Sequence, residues 1–282
     1  MKLCKNKVDL QNVLKPYLEL NKSVGFVPTM GALHDGHLSL VEEALKENDC
    51  VVVSIFVNPT QFDKTTDLNK YPRSLEADLK LLNTFDVDII VFSPEANHLY
   101  SKNVSSKSYD FSGLEFEMEG RHREGHFDGV GTVLNLLFRI ITPNKAYFGQ
   151  KDFQQLQIVK KLVEIEQLPI IIVGCPIKRE KNGLAMSSRN RRLSHAQMNE
   201  AALLYKTLRK VQNQFEYTSI PKLKAFVNTV FKKHPDLELE YFEIANVDNL
   251  KSAQRKSKTN TYRAFIAAWI GGVRLIDNIA LN

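Results

Sequence analysis

Two histidines, His34 and His37, stand three residues apart in the stretch PTMGALHDGH, directly after an apolar run. Two glycines of this stretch, Gly31 and Gly36, would let the backbone approach a ligand closely, and a helical pattern begins at Gly36. Imidazole N–H groups and the N-terminus of a helix both attract phosphate oxygens, so the stretch favours a phosphate-binding loop. Two alternatives stay open: an ordinary strand-to-helix turn, and a metal-binding pair, for which no third ligand is obvious nearby.

A second stretch suited to chemistry is LAMSSRN, which supplies the hydroxyls of Ser187 and Ser188 and the guanidinium of Arg189. A guanidinium offers a two-pronged donor to oxygen-rich anions. Alone, the stretch could equally be a solvated loop with a helix cap. Together with the histidine stretch, it looks like half of a pair of loops that clamp the triphosphate of ATP while a carboxylate attacks the α-phosphorus. The chain contains neither GxGxxG nor GxxxxGK followed by Ser or Thr, so a dinucleotide fingerprint and a P-loop are excluded.

The elements that must position these groups alternate between short apolar runs and helical patterns over the first two-thirds of the chain. The runs SVGFVPT, CVVVSIFVN, VDIIVFSP, KAYFG and LPIIIVGCP are continuously apolar, which predicts buried parallel strands. Helices are predicted between them, in GHLSLVEEALKEN, YPRSLEADLKLLNTF, DGVGTVLNLLFRIIT and DFQQLQIVKKLVEIE. This order predicts an α/β fold with a Rossmann-like, doubly wound parallel sheet, in which ligands bind at the carboxyl ends of the strands. The histidine stretch lies at such an end.

The pattern changes after the stretch CPIKREKNGLAMSSRN. Two amphipathic helices are predicted in 194–215 and 219–234, the first with Ser194 as its N-cap. Alternating runs in 237–247 and 261–278 then predict antiparallel strands. We therefore expect two domains, 1–175 with the parallel sheet and 176–282 as a smaller α+β domain that closes the active-site cleft. The glycine-rich and charged segment 178–192 would border that cleft.

Composition limits the class of protein and its partners. The 282 residues are 43% hydrophobic and 25% charged, which is typical of a globular chain with a sizeable core. The net charge of +6 suits phosphorylated substrates, a nucleic acid or an anionic membrane, but no interleaved aromatic and basic motif supports nucleic-acid binding. Cys4, Cys50 and Cys175 fit no metal spacing, which favours a reducing compartment. No signal peptide and no membrane-spanning run is recognised, so a cytoplasmic protein without a membrane partner is expected.

Seven stretches, in order along nearly the whole chain, resemble the pantoate–β-alanine ligases. They are PTMGALHDGHLSLV, VSIFVNPTQF, YPRSLEADL, GHFDGVGTV, AYFGQKDFQQL, GLAMSSRN and RLIDN. This family is similar to the class I aminoacyl-tRNA synthetases and to small nucleotidyltransferases. The resemblance implies that ATP and pantoate form pantoyl adenylate and pyrophosphate, and that the amine of β-alanine then displaces AMP to give pantothenate. It also implies Mg²⁺ accompanying ATP, no tightly bound organic cofactor, and a homodimer.

The resemblance also implies roles for individual residues. ATP binding falls to Met30, Gly31, His34 and His37, to Gly149, Lys151 and Asp152, and to Lys178, Met186, Ser187, Ser188 and Arg189. Gln61 and Gln155 match the glutamines that hold pantoate. The catalytic groups would be His34, His37, Lys151 and Arg189, which stabilise charge on the phosphates. Metal ligands stay open: Asp78 is one acidic group for that place, although a solvated helix position is favoured.

Three residues depart from the family pattern without touching these motifs: Glu124 replaces a proline, Leu136 a lysine and Asn182 an aspartate. Three other functions remain to be weighed against the ligase. A nucleotidyltransferase would share the histidine loop but keep the nucleotide on its product. A nucleic-acid-binding module would use the basic surface, and a family member could have lost its activity. The combination of NPTQF, GQKDFQQ and AMSSRN favours the ligase.

Overall fold

The computed structural model describes residues 1–62, 68–69, 71–100 and 104–282. Six strands form one parallel sheet: β1 (Lys2–Cys4), β2 (Val24–Thr29), β3 (Cys50–Ile55), β4 (Ile89–Phe92), β5 (Lys145–Gly149) and β6 (Ile171–Cys175). Their order across the sheet is β1-β4-β3-β2-β5-β6. The five apolar runs predicted as strands are confirmed, and β1 is an additional edge strand whose three residues pair with the end of β4.

Seven α-helices accompany this sheet in the described part of the chain. They are α1 (Lys7–Glu19), α2 (Asp35–Glu47), α3 (Leu75–Leu82), α4 (Ala96–Leu99), α5 (Met118–His122), α6 (His126–Ile141) and α7 (Phe153–Ile165). One face of the sheet buries Phe26 and Val52 against α1, α6 and α7. The opposite face buries Val27 and Val53 against α2 and α3. Because successive strand residues point to opposite faces, this alternation confirms a doubly wound sheet covered on both sides.

The side of the sheet on which the chain adds its next strands changes between β2 and β5. From β2, the chain adds β3 and β4 on one side, then crosses over to place β5 and β6 on the other. Gly25 and Phe26 of β2 pair with Lys145 and Ala146 of β5 in parallel register. Ligands of open α/β sheets bind outside the carboxyl ends of the strands at such a switch point. The histidine stretch follows β2 and the GQKD stretch follows β5, so both lie there.

A second, antiparallel sheet follows the parallel one. Helices α8 (His195–Ala201), α9 (Leu203–Gln214) and α10 (Ile220–Phe231) precede strands β7 (Glu238–Asn246), β8 (Tyr262–Ile270) and β9 (Val273–Ala280), which pair in that order. These elements enclose a hydrophobic cluster of their own. Ser194 caps α8 as expected, in a reciprocal pair of hydrogen bonds with Gln197. The single helix expected over 194–215 is two helices, α8 and α9, separated at Ala202.

A buried ion-pair network joins the two sheets. Arg274 of β9 donates to both carboxylate oxygens of Glu119 in α5, at 2.7 and 2.9 Å. The hydroxyl of Tyr241 in β7 donates to the same carboxylate at 2.7 Å. Burial opposes the charge on Glu119, but the hydrogen bonds and positive charge of Arg274 prevail and lower its pKa to about 2. In the described residues, no helix is both long enough and apolar enough to span a bilayer.

Candidate active site

A cleft of about 230 Å³ opens at the carboxyl ends of β2 and β5. All but one of the residues assigned above to ATP and pantoate line this cleft. They are Met30, His34, His37, Gln61, Gly149, Lys151, Asp152, Gln155, Lys178, Met186, Ser187, Ser188 and Arg189. The exception, Gly31, belongs to the same loop as the histidines and has a left-handed φ of +78°, which favours glycine. Stretches that are distant in the sequence thus face one space.

The two histidines form the N-terminal cap of α2, which begins at Asp35, one residue earlier than expected. Nδ1 of His34 accepts a hydrogen bond from the backbone N–H of Gly36 at 3.1 Å. Nδ1 of His37 accepts from the backbone N–H of His34 at 3.4 Å, and the ring centres lie 4.2 Å apart. Since both Nδ1 atoms are acceptors, each neutral ring carries its proton on Nε2. Each Nε2–H is a donor suited to a phosphate oxygen.

Both imidazoles are uncharged at neutral pH. Burial lowers the pKa of His34 to about 4, assisted by the positive charges of Lys151 and Arg191. Burial lowers the pKa of His37 to about 3, with further contributions from His34, Lys151 and Arg191. A neutral imidazole donates without adding a full positive charge, while the neighbouring lysine and arginine supply the charge that attracts an anion.

Asp78 holds the backbone of the histidine loop. Its two carboxylate oxygens accept hydrogen bonds from the N–H groups of Ala32, at 2.9 Å, and Leu33, at 2.7 Å. The expectation of a solvated helix position was wrong: Asp78 is only 1% exposed. Burial raises its pKa although both N–H groups stabilise the anion. Both oxygens face the loop, so the carboxylate supports the loop that carries the histidines.

Two residues much further along the chain, Ser188 of the SSRN stretch and Arg191 just after it, also support this loop. The hydroxyl of Ser188 donates to the carbonyl of Ala32 at 3.0 Å. The guanidinium of Arg191 donates to the carbonyl of Leu33 at 2.6 Å. Ala32 has a positive φ of 50°, an uncommon conformation for a residue with a side chain. The contacts of Asp78, Ser188 and Arg191 hold this backbone in place.

The segment that leads to Ser187 is an ordered hairpin. The N–H of Met186 donates to the carbonyl of Lys178 at 3.0 Å, and the N–H of Glu180 to the carbonyl of Leu184 at 2.8 Å. Gly183 makes the turn with a φ of +95°. The hairpin, defined here as residues 178–189, therefore presents Lys178 and Met186 side by side at the cleft.

Cationic and hydroxyl groups converge at the end of this hairpin and at the GQKD stretch. The guanidinium carbon of Arg189 lies 5.4 Å from the ring centre of Tyr71. The Ser187 hydroxyl oxygen accepts from the N–H of Arg189 at 3.2 Å. In the GQKD stretch, Lys151 Nζ lies 3.6 Å from the carboxylate of Asp152. The site thus combines cations on two loops with the neutral histidines of a third.

The amide of Gln61 is oriented by Asn58, which the sequence analysis did not single out. Asn58 Nδ2 donates to Oε1 of Gln61 at 3.2 Å and to the carbonyl of Gly129 at 3.1 Å. Its Oδ1 accepts from the Tyr100 hydroxyl at 2.6 Å. With Oε1 occupied, Gln61 turns its Nε2 donor toward the cleft, where it lies 2.9 Å from the sulfur of Met30. The sequence signal that could have pointed to Asn58 is its place at the start of the stretch NPTQF.

A recess of about 80 Å³ adjoins the cleft beside Gln61 and Gln155. His126 and Arg123, from the stretch GRHREGHF, also line it. The ring Nδ1 of His126 lies 2.8 Å from the carbonyl of Gln61, which requires Nδ1 to donate. Its Nε2 is then the acceptor for the Arg123 guanidinium at 3.0 Å. Neither residue was predicted to belong to the site, although His126 lies in the stretch GHFDGVGTV and Arg123 directly precedes the departure at Glu124.

The three departures lie outside the polar lining of the cleft. Glu124 is exposed and precedes Gly125, which caps α6 with a φ of +71°. Leu136 is partly buried against the core of the parallel sheet. Asn182 shapes the hairpin turn, since its Oδ1 accepts from the N–H of Leu184 at 3.1 Å.

Known proteins match this chain over nearly its whole length. The family model for pantoate–β-alanine ligase matches residues 2–280. The pantothenate synthetase of Christiangramia forsetii is 58% identical over 261 residues, 93% of this chain and 92% of that protein. The pantothenate synthetase of Flavobacterium psychrophilum is 49% identical over 282 residues, the full length of both chains.

Solved structures of similar proteins share the fold of this chain over its whole length. The pantothenate synthetase of Thermus thermophilus superposes with a TM-score of 0.89 at 35% identity, covering 100% of this chain and 99% of that one. The pantoate–β-alanine ligase of Francisella tularensis, solved with β-γ ATP and β-alanine, gives 0.80 at 34% identity, covering 100% and 98%. With a family match from residue 2 to residue 280 and the same fold in solved relatives, the chain belongs to the pantoate–β-alanine ligase family.

Proposed function

We propose that this chain, a ligase that joins pantoate to β-alanine, does so in two steps within the cleft. In the first step, a carboxylate oxygen of pantoate attacks the α-phosphorus of ATP, which forms pantoyl adenylate and expels pyrophosphate. In the second, the amine of β-alanine attacks the acyl carbon, forming the amide bond of pantothenate and expelling AMP. The observation that carries this proposal is the pair of neutral histidines at the N-terminus of α2, at the switch point of the sheet.

The first step needs donors where negative charge develops. The Nε2–H groups of His34 and His37 would donate to the α- and β-phosphates, and Lys151 and Arg189 would offset the charge of the leaving pyrophosphate. The positive end of the α2 dipole acts in the same direction. Such donors are already oriented before the reaction, because the capping hydrogen bonds and Asp78 hold the loop.

The remaining ATP contacts are proposed from the family resemblance, and the lining of the cleft supports them. Met30, Gly149 and Ser188 would lie along the path of the phosphates, and Ser187 offers a hydroxyl there. Asp152 suits a ribose hydroxyl, and Lys178 with Met186 suits the adenine. The ATP-bound relative from Francisella tularensis supports a nucleotide in this fold.

Pantoate is assigned to Gln61 and Gln155. The hydrogen bond from Asn58 to Oε1 of Gln61 fixes the orientation of this amide, so that its Nε2 donor faces the cleft. Neutral amides hold a carboxylate without the strong ion pair that a cation would form, so its oxygen stays nucleophilic. Both glutamines line the cleft and the adjoining recess, which supports a shared substrate position next to the phosphates.

Mg²⁺ is part of the proposal as a companion of ATP. Phosphate oxygens are preferred ligands of Mg²⁺, which neutralises part of the triphosphate charge. Among the residues that the structure describes, no three His, Cys, Asp or Glu side chains are grouped so as to hold a metal ion. Asp78 does not fit that role, since its carboxylate oxygens accept from the backbone of the histidine loop.

The organisation of the chain is also proposed. We take residues 1–175 as the ATP- and pantoate-binding domain and 176–282 as the domain that closes the cleft. The change from a parallel to an antiparallel sheet after Cys175 supports this boundary. A homodimer is proposed from the family resemblance, and a cytoplasmic location from the three free, widely spaced cysteines.

Pyrophosphate exchange tests the proposed course directly. With ATP, Mg²⁺ and pantoate but no β-alanine, the protein should exchange labelled pyrophosphate into ATP, and omission of pantoate should abolish the exchange. Added β-alanine should then yield AMP and pantothenate in equal amounts. Folded protein that forms pantothenate without any exchange would contradict the adenylate intermediate. A product that retains the nucleotidyl group would instead identify a nucleotidyltransferase.

A further inference from the structure

The stretch RLIDN near the end of the chain belongs to β9 and has no role in the site described so far. Two of its polar side chains, Asp277 and Asn278, are 3% and 2% exposed. Burying a carboxylate and an amide is costly unless each finds partners. Both find them in the loops that line the cleft, far away in the sequence.

Asn278 holds the turn that carries Lys151. Its Nδ2 donates to the carbonyl of Gln150 at 2.9 Å and to the carbonyl of Lys151 at 2.8 Å. These carbonyls belong to the short 3-10 turn Gln150–Asp152, which connects β5 to α7. Both N–H groups of the amide are thus used to orient two consecutive peptide planes of this turn. The direction in which Lys151 leaves the backbone depends on those planes.

The other end of the Asn278 amide is also occupied. Its Oδ1 accepts from the guanidinium of Arg263 in β8. The guanidinium of Arg263 packs 4.1 Å from the ring centre of Phe153, the first residue of α7. The amide of Asn278 therefore has one orientation, with oxygen toward Arg263 and nitrogen toward the turn.

Asp277 holds the 178–189 hairpin. Its carboxylate accepts two hydrogen bonds from the guanidinium of Arg179, at 2.6 and 3.0 Å. The same guanidinium donates to the carbonyl of Gly183 at 3.1 Å and lies 3.7 Å from the ring centre of Tyr205. Arg179 pairs with Ala185 across the hairpin. An anchor at Arg179 therefore fixes the strand pair that presents Met186 and the residues up to position 189.

We propose that Asp277 and Asn278 are positioning residues that set the two cation-bearing loops of the ATP site in one geometry. The α-carbons of consecutive residues are held about 3.8 Å apart by the peptide bond, so two anchors on neighbouring residues fix the spacing of what they hold. Asn278 acts through Lys151, and Asp277 acts through the hairpin that ends at Arg189. The antiparallel sheet in this way determines where the cations meet the triphosphate. The inference rests on the proposed binding of ATP at this cleft.

The substitution Asn278→Asp tests the inference with almost no change in size. It places an oxygen opposite the carbonyls of Gln150 and Lys151, which repel it, while Arg263 keeps an acceptor. The expected result is a rise of about tenfold in KM for ATP and a similar fall in pyrophosphate exchange, the scale of losing buried hydrogen bonds. The KM for β-alanine should stay within about twofold. The matched control is Asn249→Asp, an exposed residue of the same sheet region whose Oδ1 accepts from a backbone N–H.

Kinetic constants separate positioning from mere structural support. If Asn278→Asp lowers the melting temperature but leaves KM for ATP and the exchange rate of the folded protein at the control values, the inference is wrong. If the variant does not fold, Asp277→Asn carries the test: it removes the charge that binds Arg179 and should raise KM for ATP. An unchanged KM in that variant would overturn the inference as well.

Failure of the proposed function is distinguishable from failure of this inference. If the wild-type protein shows no exchange, the adenylate proposal fails on its own. Calorimetric titration of the wild-type protein, Asn278→Asp and Asn249→Asp with MgATP then decides the inference. Affinity about tenfold weaker in Asn278→Asp alone would support it, and equal affinities would overturn it.

Discussion

The histidine loop and the 178–189 hairpin face the same cleft but are held in different ways. The histidine loop is capped by its own helix, with Nδ1 of His34 and of His37 accepting from N–H groups two and three residues away. The hairpin is anchored at Arg179 to Asp277, 98 residues further along the chain. The residues that cap a loop locally can be recognised in the sequence by their spacing, whereas a distant anchor such as Asp277 cannot.

The two regions are also coupled to each other. Ser188 and Arg191, at the end of the hairpin and just after it, donate to the carbonyls of Ala32 and Leu33 in the histidine loop. Asp78 receives the N–H groups of the same two residues. The cap of the histidine loop is therefore formed by neighbouring residues, whereas its backbone is held in position by residues that are distant in the sequence. Substitutions on each side of this division should have separable effects.

The largest effect is expected for His37→Ala, which removes a donor that is oriented before the reaction. We expect a fall of about a hundredfold or more in the rate of pyrophosphate exchange, with the fold preserved. Exchange kinetics together with circular dichroism would measure this. The matched control is His98→Ala, an exposed histidine of α4. Exchange near the wild-type rate would overturn the role assigned to His37.

The second-largest effect is expected for a change of Asp78, which supports the histidine loop. Asp78→Asn keeps the shape but replaces one acceptor by an N–H₂ group that faces a backbone N–H. We expect the free energy of unfolding to fall by about 1–3 kcal/mol and the exchange rate to fall with it. Urea unfolding and exchange assays would measure both, with Glu76→Gln, an exposed position of the same helix, as control. A stable variant with full activity would show that the histidine loop does not need this carboxylate.

On the hairpin side, Arg189→Ala should weaken the use of ATP by roughly tenfold, the scale of one charge-assisted hydrogen bond. Because the guanidinium is assigned to the phosphates that leave as pyrophosphate, capture of β-alanine by preformed pantoyl adenylate should be spared. Parallel assays of the two half-reactions would separate these outcomes. Equal losses in both steps would contradict the division of labour between Arg189 and the rest of the site.

Near neutral pH, the smallest effect is expected in the pH dependence of stability. The pKa of His37 is about 3 in the folded protein, below its ordinary value of 6.5, so the unfolded state takes up a proton first as the pH falls. His37 therefore stabilises the fold fully above pH 6.5 and loses this contribution as the pH falls toward 3.

The variant His37→Gln should accordingly show a shallower loss of stability on acidification. The difference from the wild-type protein should reach at most about 1.4 kcal/mol per pH unit below pH 6.5, measured by urea unfolding at several pH values. If the free energy of unfolding fell with pH at the same slope in both proteins, burial would not be lowering the pKa of His37.

Much of the fold could be predicted from residue patterns. The run KAYFG became β5 with the predicted bounds, because a continuously apolar stretch can be buried only between two layers of helices. The edge strand β1 was missed, since three residues carry too little pattern to be recognised. The break at Ala202 was missed because the apolar spacing continues through it.

The types of the groups proposed to bind the triphosphate were determined by the sequence itself: two histidines at a helix N-terminus, a lysine after β5, and hydroxyls with an arginine in the SSRN stretch. Their protonation and aim were decided only by the tertiary structure. Asp78 meets Ala32 across 46 residues, and Asn278 meets Lys151 across 127. Hydrogen bonds of this range leave no periodic trace in a chain, because they depend on which elements the folded core brings together. Burial, which lowers the pKa of both histidines, is likewise a property of the assembled cleft and of no single stretch.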